Sequence, residues 1–86
     1  MKWTDARKTH PNKWILLEVI EGYSDNGKRI VEEFSIINVY DEGKDALKDY
    51  TKSHIKDKTK ELYVYHTKNE ELSIVERNWI GVRKNG

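Results

Sequence analysis

Hydrophobic and polar positions alternate along three stretches of the chain and follow a helical period along a fourth. Trp14-Ile15-Leu16-Leu17-Glu18-Val19-Ile20-Glu21 is rich in β-branched and aromatic residues and too short for an ordinary helix. Ile15, Leu17 and Val19 fall on one face of that strand. Trp14, Leu16 and Ile20 fall on the other, which predicts a central strand with its second face partly covered. Asn26-Gly27 then marks a hairpin reversal, because both residues tolerate positive φ. The return strand runs from Arg29 to Tyr40, and Glu32-Glu33 interrupts its alternation, which predicts a bulge there.

Asp41 offers an N-cap for a helix over 41–57, and Ala46, Leu47, Tyr50 and His54 form its apolar stripe. The next strand is Leu62-Tyr63-Val64-Tyr65-His66-Thr67, with Leu62, Val64 and His66 on one face and the tyrosines on the other. Lys68-Asn69-Glu70-Glu71 reads as a turn, after which Leu72 to Glu76 begins a fourth strand and Trp79-Ile80-Gly81-Val82-Arg83 continues it or forms a short edge. The expected fold is a single α+β domain over 1–86 with the order ββαββ. It has an N-terminal arm (1–12), a first hairpin (13–40), one amphipathic helix (41–57) and a second hairpin (61–83). The helix packs on one face of an antiparallel sheet of about four strands.

The 86 residues carry sixteen Lys+Arg against fifteen Asp+Glu, so no global field commits the chain to a polyanion. The mean hydropathy is −0.92. Charge is nevertheless uneven: residues 1–14 and 51–86 are net basic, and 15–50 are net acidic. Nine aromatic residues make a compact core attainable despite the polar composition. The longest apolar run, Trp14 to Leu17, is far too short to span a bilayer, and a charge stands where a signal peptide needs its apolar segment. A cytoplasmic protein with no membrane partner is expected. The lack of cysteine removes disulfides, thiolate metal sites and thiol nucleophiles, and favours a reducing compartment.

Candidate chemistry is sparse. His10, His54 and His66 lack the short spacings of recurrent metal motifs, so no metal or other cofactor is expected. No phosphate-cradling glycine loop or nucleophile elbow occurs, and the adjacent carboxylates Glu32 and Glu33 point to opposite faces of a strand. An enzyme is not expected. Two binding surfaces stand out instead. Trp3, Tyr23, Trp79, Ile80, Val82 and Arg83 are candidates for a protein-interaction patch, since aromatic residues dominate such contacts. Lys52, Lys56, Lys58 and Lys60 beside Tyr63 and Tyr65 are candidates for a nucleic-acid surface, where cations track the backbone and rings stack on bases.

Three segments also resemble a group of small uncharacterised bacterial proteins: His10-Pro11-Asn12-Lys13-Trp14-Ile15-Leu16-Leu17-Glu18, Leu62 to Thr67, and Trp79-Ile80-Gly81-Val82-Arg83. That group carries a Pro-Asn-x-Trp-hydrophobic-Leu-Glu first strand and a Trp-x-Gly-x-Arg ending. The resemblance implies a bacterial cytosolic domain and supplies no catalytic residue. The sequence thus points to a non-catalytic domain that binds another protein or itself, as an adaptor or antitoxin-like regulator. Homo-oligomerisation through an open sheet edge is one form of that expectation, and nucleic-acid binding is the alternative.

Overall fold

Six elements follow one another in the computed structural model, which describes residues 1–75: α1 (Trp3–Thr9), β1 (Trp14–Asp25), β2 (Lys28–Tyr40), α2 (Gly43–Lys56), β3 (Leu62–His66) and β4 (Ser73–Val75). The expectations placed on Trp79, Ile80, Val82 and Arg83 lie outside the described residues. The fold is α+β, with a four-stranded antiparallel sheet in the order β3-β1-β2-β4. None of the helices is long and apolar enough to cross a membrane, among the described residues.

The long hairpin forms where Asn26-Gly27 places it. Asn26 (φ 51°) and Gly27 (φ 80°) take the positive dihedrals that a two-residue reversal needs, and Asp25 pairs with Lys28. Register shifts at Ile20, Glu32 and Ile37 bend the ribbon, and the one at Glu32 lies at the acidic pair that marked it. Gly22 sits within this bent region. A Cβ there would lie 2.6 Å from the Ile30 carbonyl oxygen, so only glycine lets the strands approach.

β1 is central, and its two apolar faces are both covered. Ile15 and Leu17 pack with Phe34 under Trp3 and Ala6 of α1, and Tyr63 and Tyr65 flank the cluster. On the opposite face Leu16 and Leu62 are buried, and α2 lies across β1 and β3 with Gly43 against the Trp14 ring. Fully burying Ile15, Leu16 and Leu17 supplies roughly 1.5–3 kcal/mol each.

Three parts of the expected architecture need correction. First, the N-terminal arm is not an arm: α1 covers a sheet face, so the described residues hold two helices, one per face, in the order αββαββ. Second, β3 and β4 do not form a hairpin, because they occupy opposite edges of the sheet. Residues 67–72 cross the α1 face between them, held by Trp3 Nε1 donating to the Asn69 carbonyl (2.9 Å) and Tyr65 Oη donating to that of Ser73 (3.0 Å). Third, α2 starts at Gly43 with Glu42 as its N-cap, while Asp41 pairs instead with Lys13 Nζ. Its inward positions are Gly43, Ala46, Tyr50 and Ser53, mostly small residues that let the helix lie close to Trp14. Leu47 is consequently 57% exposed, and His54 is exposed and stacked on Tyr50.

Candidate functional site: the outer edge of β3

Successive backbone groups of a strand point alternately to its two sides. Glu61 accepts from the Val19 N–H (2.9 Å), and the Thr67 N–H donates to the Lys13 carbonyl (2.9 Å). The pairs between those limits, Tyr63 with Leu17 and Tyr65 with Ile15, therefore carry the β1 ladder. The N–H and C=O groups of Leu62 and Val64 point the other way, where no described chain lies. The site is thus an edge whose outward donors and acceptors have no strand partner among the described residues. Only its far end is closed: the His66 carbonyl accepts from Asn69 N–H (3.2 Å) and Nδ2 (2.8 Å), and the His66 ring accepts from the Lys68 N–H (3.0 Å).

The other long edge is treated differently. β4 pairs with residues 28–30 of β2 and leaves the outward side of the rest of that strand uncovered by any described strand. There the Phe34 carbonyl accepts from the Met1 amino group (3.1 Å), and the Glu32 carbonyl accepts from Lys2 Nζ (3.4 Å). The Asn38 side-chain oxygen takes the Val39 N–H (2.9 Å). Together with two bulges, these contacts blunt β2 as a template. β3 has no bulge and no proline.

The side chains around the β3 edge define a small apolar notch. Leu47 and Tyr50 of α2 stand over Leu62 and Val64 and leave a shallow, open depression of about 150 Å³ beside the strand. From the other face the start of β3 is fixed by a partly buried ion pair. Arg29 Nε and Nη2 donate to the two oxygens of Glu61 (2.6 and 2.8 Å), and Tyr63 Oη donates to the same carboxylate (2.8 Å). The Arg29 fork, aided by Tyr63, holds the Glu61 carboxyl below its usual range against the opposing effect of burial. Around the ends of the edge Lys58, Lys60 and Lys68 are exposed, with Asp57 beside the first two and the exposed Glu70 and Glu71 following the third.

The residues singled out from the sequence are distributed otherwise. Trp3 is core, ringed by Phe34 (6.2 Å) and Tyr65 (5.6 Å), and so is corrected from an interaction residue to a packing one. Tyr23 is 49% exposed near the hairpin tip, far along β1 from β3. Lys52, Lys56 and Lys60 line open grooves between α2 and the sheet, over Ile37 and with Asp49 and Asp57 on their rims. Tyr63 and Tyr65 turn to the α1 face with both hydroxyls bonded. The cations and the rings of the expected nucleic-acid surface therefore do not share a face.

Tyr40 donates to Asp49 (2.7 Å), tying α2 to β2. Burial, then this carboxylate partner, push its phenol up to about 12. His66 meets the Trp14 ring edge-on at 5.0 Å, whereas His54 stacks on Tyr50. No three His, Asp or Glu side chains converge as a metal site requires, among the described residues. The importance of the β3 edge was hidden in the sequence, since nothing local says which strand of a sheet lies outermost. Compared with known proteins, the chain matches no protein-family model, no curated protein and no solved structure. The geometry has to speak for itself.

Proposed function

We propose that the protein is a non-catalytic interaction domain, of the adaptor or antitoxin-like kind, that captures an extended segment of another chain by strand addition at β3. The carrying observation is the contrast between edges: the outward backbone groups of Leu62 and Val64 are unpaired within the described residues, while in β2 the carbonyls of Glu32 and Phe34 and the N–H of Val39 are capped. A partner backbone laid along β3 satisfies its groups, and the notch under Leu47 takes one side chain. The absence of cysteine, and the resemblance to small bacterial proteins, support a bacterial cytoplasm as the setting.

Val64→Pro tests this reading. It removes an outward N–H and none of the β1 ladder, so the fold should survive with a loss of about 1–2 kcal/mol. Amide exchange should report fast Leu62 and Val64 and slow Tyr63 and Tyr65 in the free protein. Binding of a captured partner should slow the first two and be lost in Val64→Pro. Capture that persists in that variant, with unchanged exchange at Leu62 and Val64, would refute strand addition.

A further inference from the structure

We infer that the cleft beside the carbonyl end of α1 binds the phosphoryl group of a small phosphate ester. This site is separate from the β3 edge and does not depend on the strand-addition reading. The cleft is open and measures about 390 Å³, within the ~300–1,000 Å³ common to small-molecule sites. Thr4, Arg7 and Lys8 stand three and four residues apart and so share one face of α1. Pro11 and Asn12 of the following turn, and Lys68 of the crossing segment, line the rest. Arg7 is pinned in place: its Nε donates to the Thr67 carbonyl (2.9 Å). Thr67 is itself fixed, its hydroxyl accepting from the Lys13 N–H (3.0 Å) and donating to the His10 carbonyl (2.7 Å). The two Nη groups of Arg7 make no hydrogen bond to any described residue, so the end of the guanidinium fork is left for a pair of ligand oxygens.

Arg7, Lys8 and Lys68 bring three positive charges to the cleft, and no carboxylate lines it. Neither lysine has an ion-pair partner among the described residues. The negative end of the α1 dipole opposes these cations with roughly half a charge, so the field in the cleft stays positive. A compact, doubly charged oxyanion uses this set best. A phosphate monoester carries about −1.5 to −2 at neutral pH and three acceptor oxygens, more than a carboxylate offers. The Thr4 hydroxyl and the Asn12 amide add neutral donors. Acids stand just outside: Asp5 on α1, and Glu70 and Glu71 after Lys68, all exposed. They balance the three cations and confine the positive field to the cleft. A polyanion running on past it meets those acids, which favours a small molecule over a nucleic acid. The cleft has room beyond one phosphoryl group, and the Pro11 ring gives the remainder of an ester an apolar wall.

The experiment is titration of the isotope-labelled full chain with phenyl phosphate, benzoate and inorganic phosphate, followed by the backbone amide and Arg7 Nε–H resonances. Phenyl phosphate should give saturable shifts at Thr4, Arg7, Lys8, Asn12 and Lys68, and none at Leu62 or Val64. Its affinity should exceed that of benzoate or inorganic phosphate by about tenfold. It should fall about tenfold in Lys8→Ala/Lys68→Ala, whose exposed positions spare the fold. It should fall several-fold in Arg7→Lys, which keeps the charge and loses the fork. Absence of saturable shifts at the cleft, or an affinity that both variants leave unchanged, overturns the site. Benzoate binding as tightly as phenyl phosphate overturns the choice of a phosphoryl group, and inorganic phosphate doing so overturns the ester. An oligothymidine that binds through the same residues more tightly than thymidine monophosphate overturns the small molecule. Each of these results leaves strand addition at β3 standing, because that reading is tested by exchange at Leu62 and Val64.

Discussion

Thr67 is 2% exposed, and every polar atom it has is used. Its hydroxyl accepts from the Lys13 N–H (3.0 Å) and donates to the His10 carbonyl (2.7 Å). Its own carbonyl accepts from Arg7 Nε (2.9 Å). One residue therefore joins the end of α1, the start of β1 and the end of β3. Thr67→Val keeps the shape and leaves two part-buried partners, the Lys13 N–H and the His10 carbonyl, without the hydroxyl, so it should cost about 1–2 kcal/mol in urea denaturation.

A second residue-scale expectation concerns acid. The Glu61 carboxyl is lowered in the folded chain, so its contribution is present above the unfolded carboxyl value. That contribution is lost as pH falls through the folded one. Glu61→Gln should lower stability by about 1–2 kcal/mol at neutral pH. It should also flatten the decline in denaturation midpoint between about pH 5 and 3.

At the scale of elements, the hairpin was legible because its signals are local: period-two alternation, an Asn-Gly turn and an acidic pair at the bulge. The helix α2 was legible in position and only partly in orientation. Its inward face carries Gly43, where a Cβ would lie 3.0 Å from the Trp14 ring, and its leucine falls outside that face; this packing joins residues distant in sequence. The helix α1 was missed. It spans seven residues, lacks a side-chain cap and shows only Trp3 and Ala6 as an apolar pair, so its stability comes from the sheet it covers. Bulge geometry also makes a prediction at this scale. Gly22→Ala forces a Cβ onto the Ile30 carbonyl and should cost roughly 1–3 kcal/mol. Gly27→Ala, with open space around it and only a positive φ to strain, should cost about 1–2 kcal/mol in the same assay.

For the molecule as a whole, sequential strands usually lie side by side, and the expectation of a second hairpin followed that habit. Here the polar stretch after His66 opens with a turn, closed by the Asn69 N–H on the His66 carbonyl, but does not return the chain beside β3: with Leu72 it forms a strap over the α1 face, and Trp3 and Tyr65 hold it there. The strap carries β4 to the far side of the sheet and leaves β3 outermost, so the candidate site arises from a crossing that no local pattern announces. The blunting of β2 has a consequence of its own. A unit with one sticky side stops after a single docking event, whereas a unit with two can grow without limit, head to tail, into a fibre. Asn38→Ala combined with Lys2→Ala removes two of the three caps on β2, leaving that of Met1 on Phe34, and should add slow filament growth, visible by electron microscopy and by thioflavin emission.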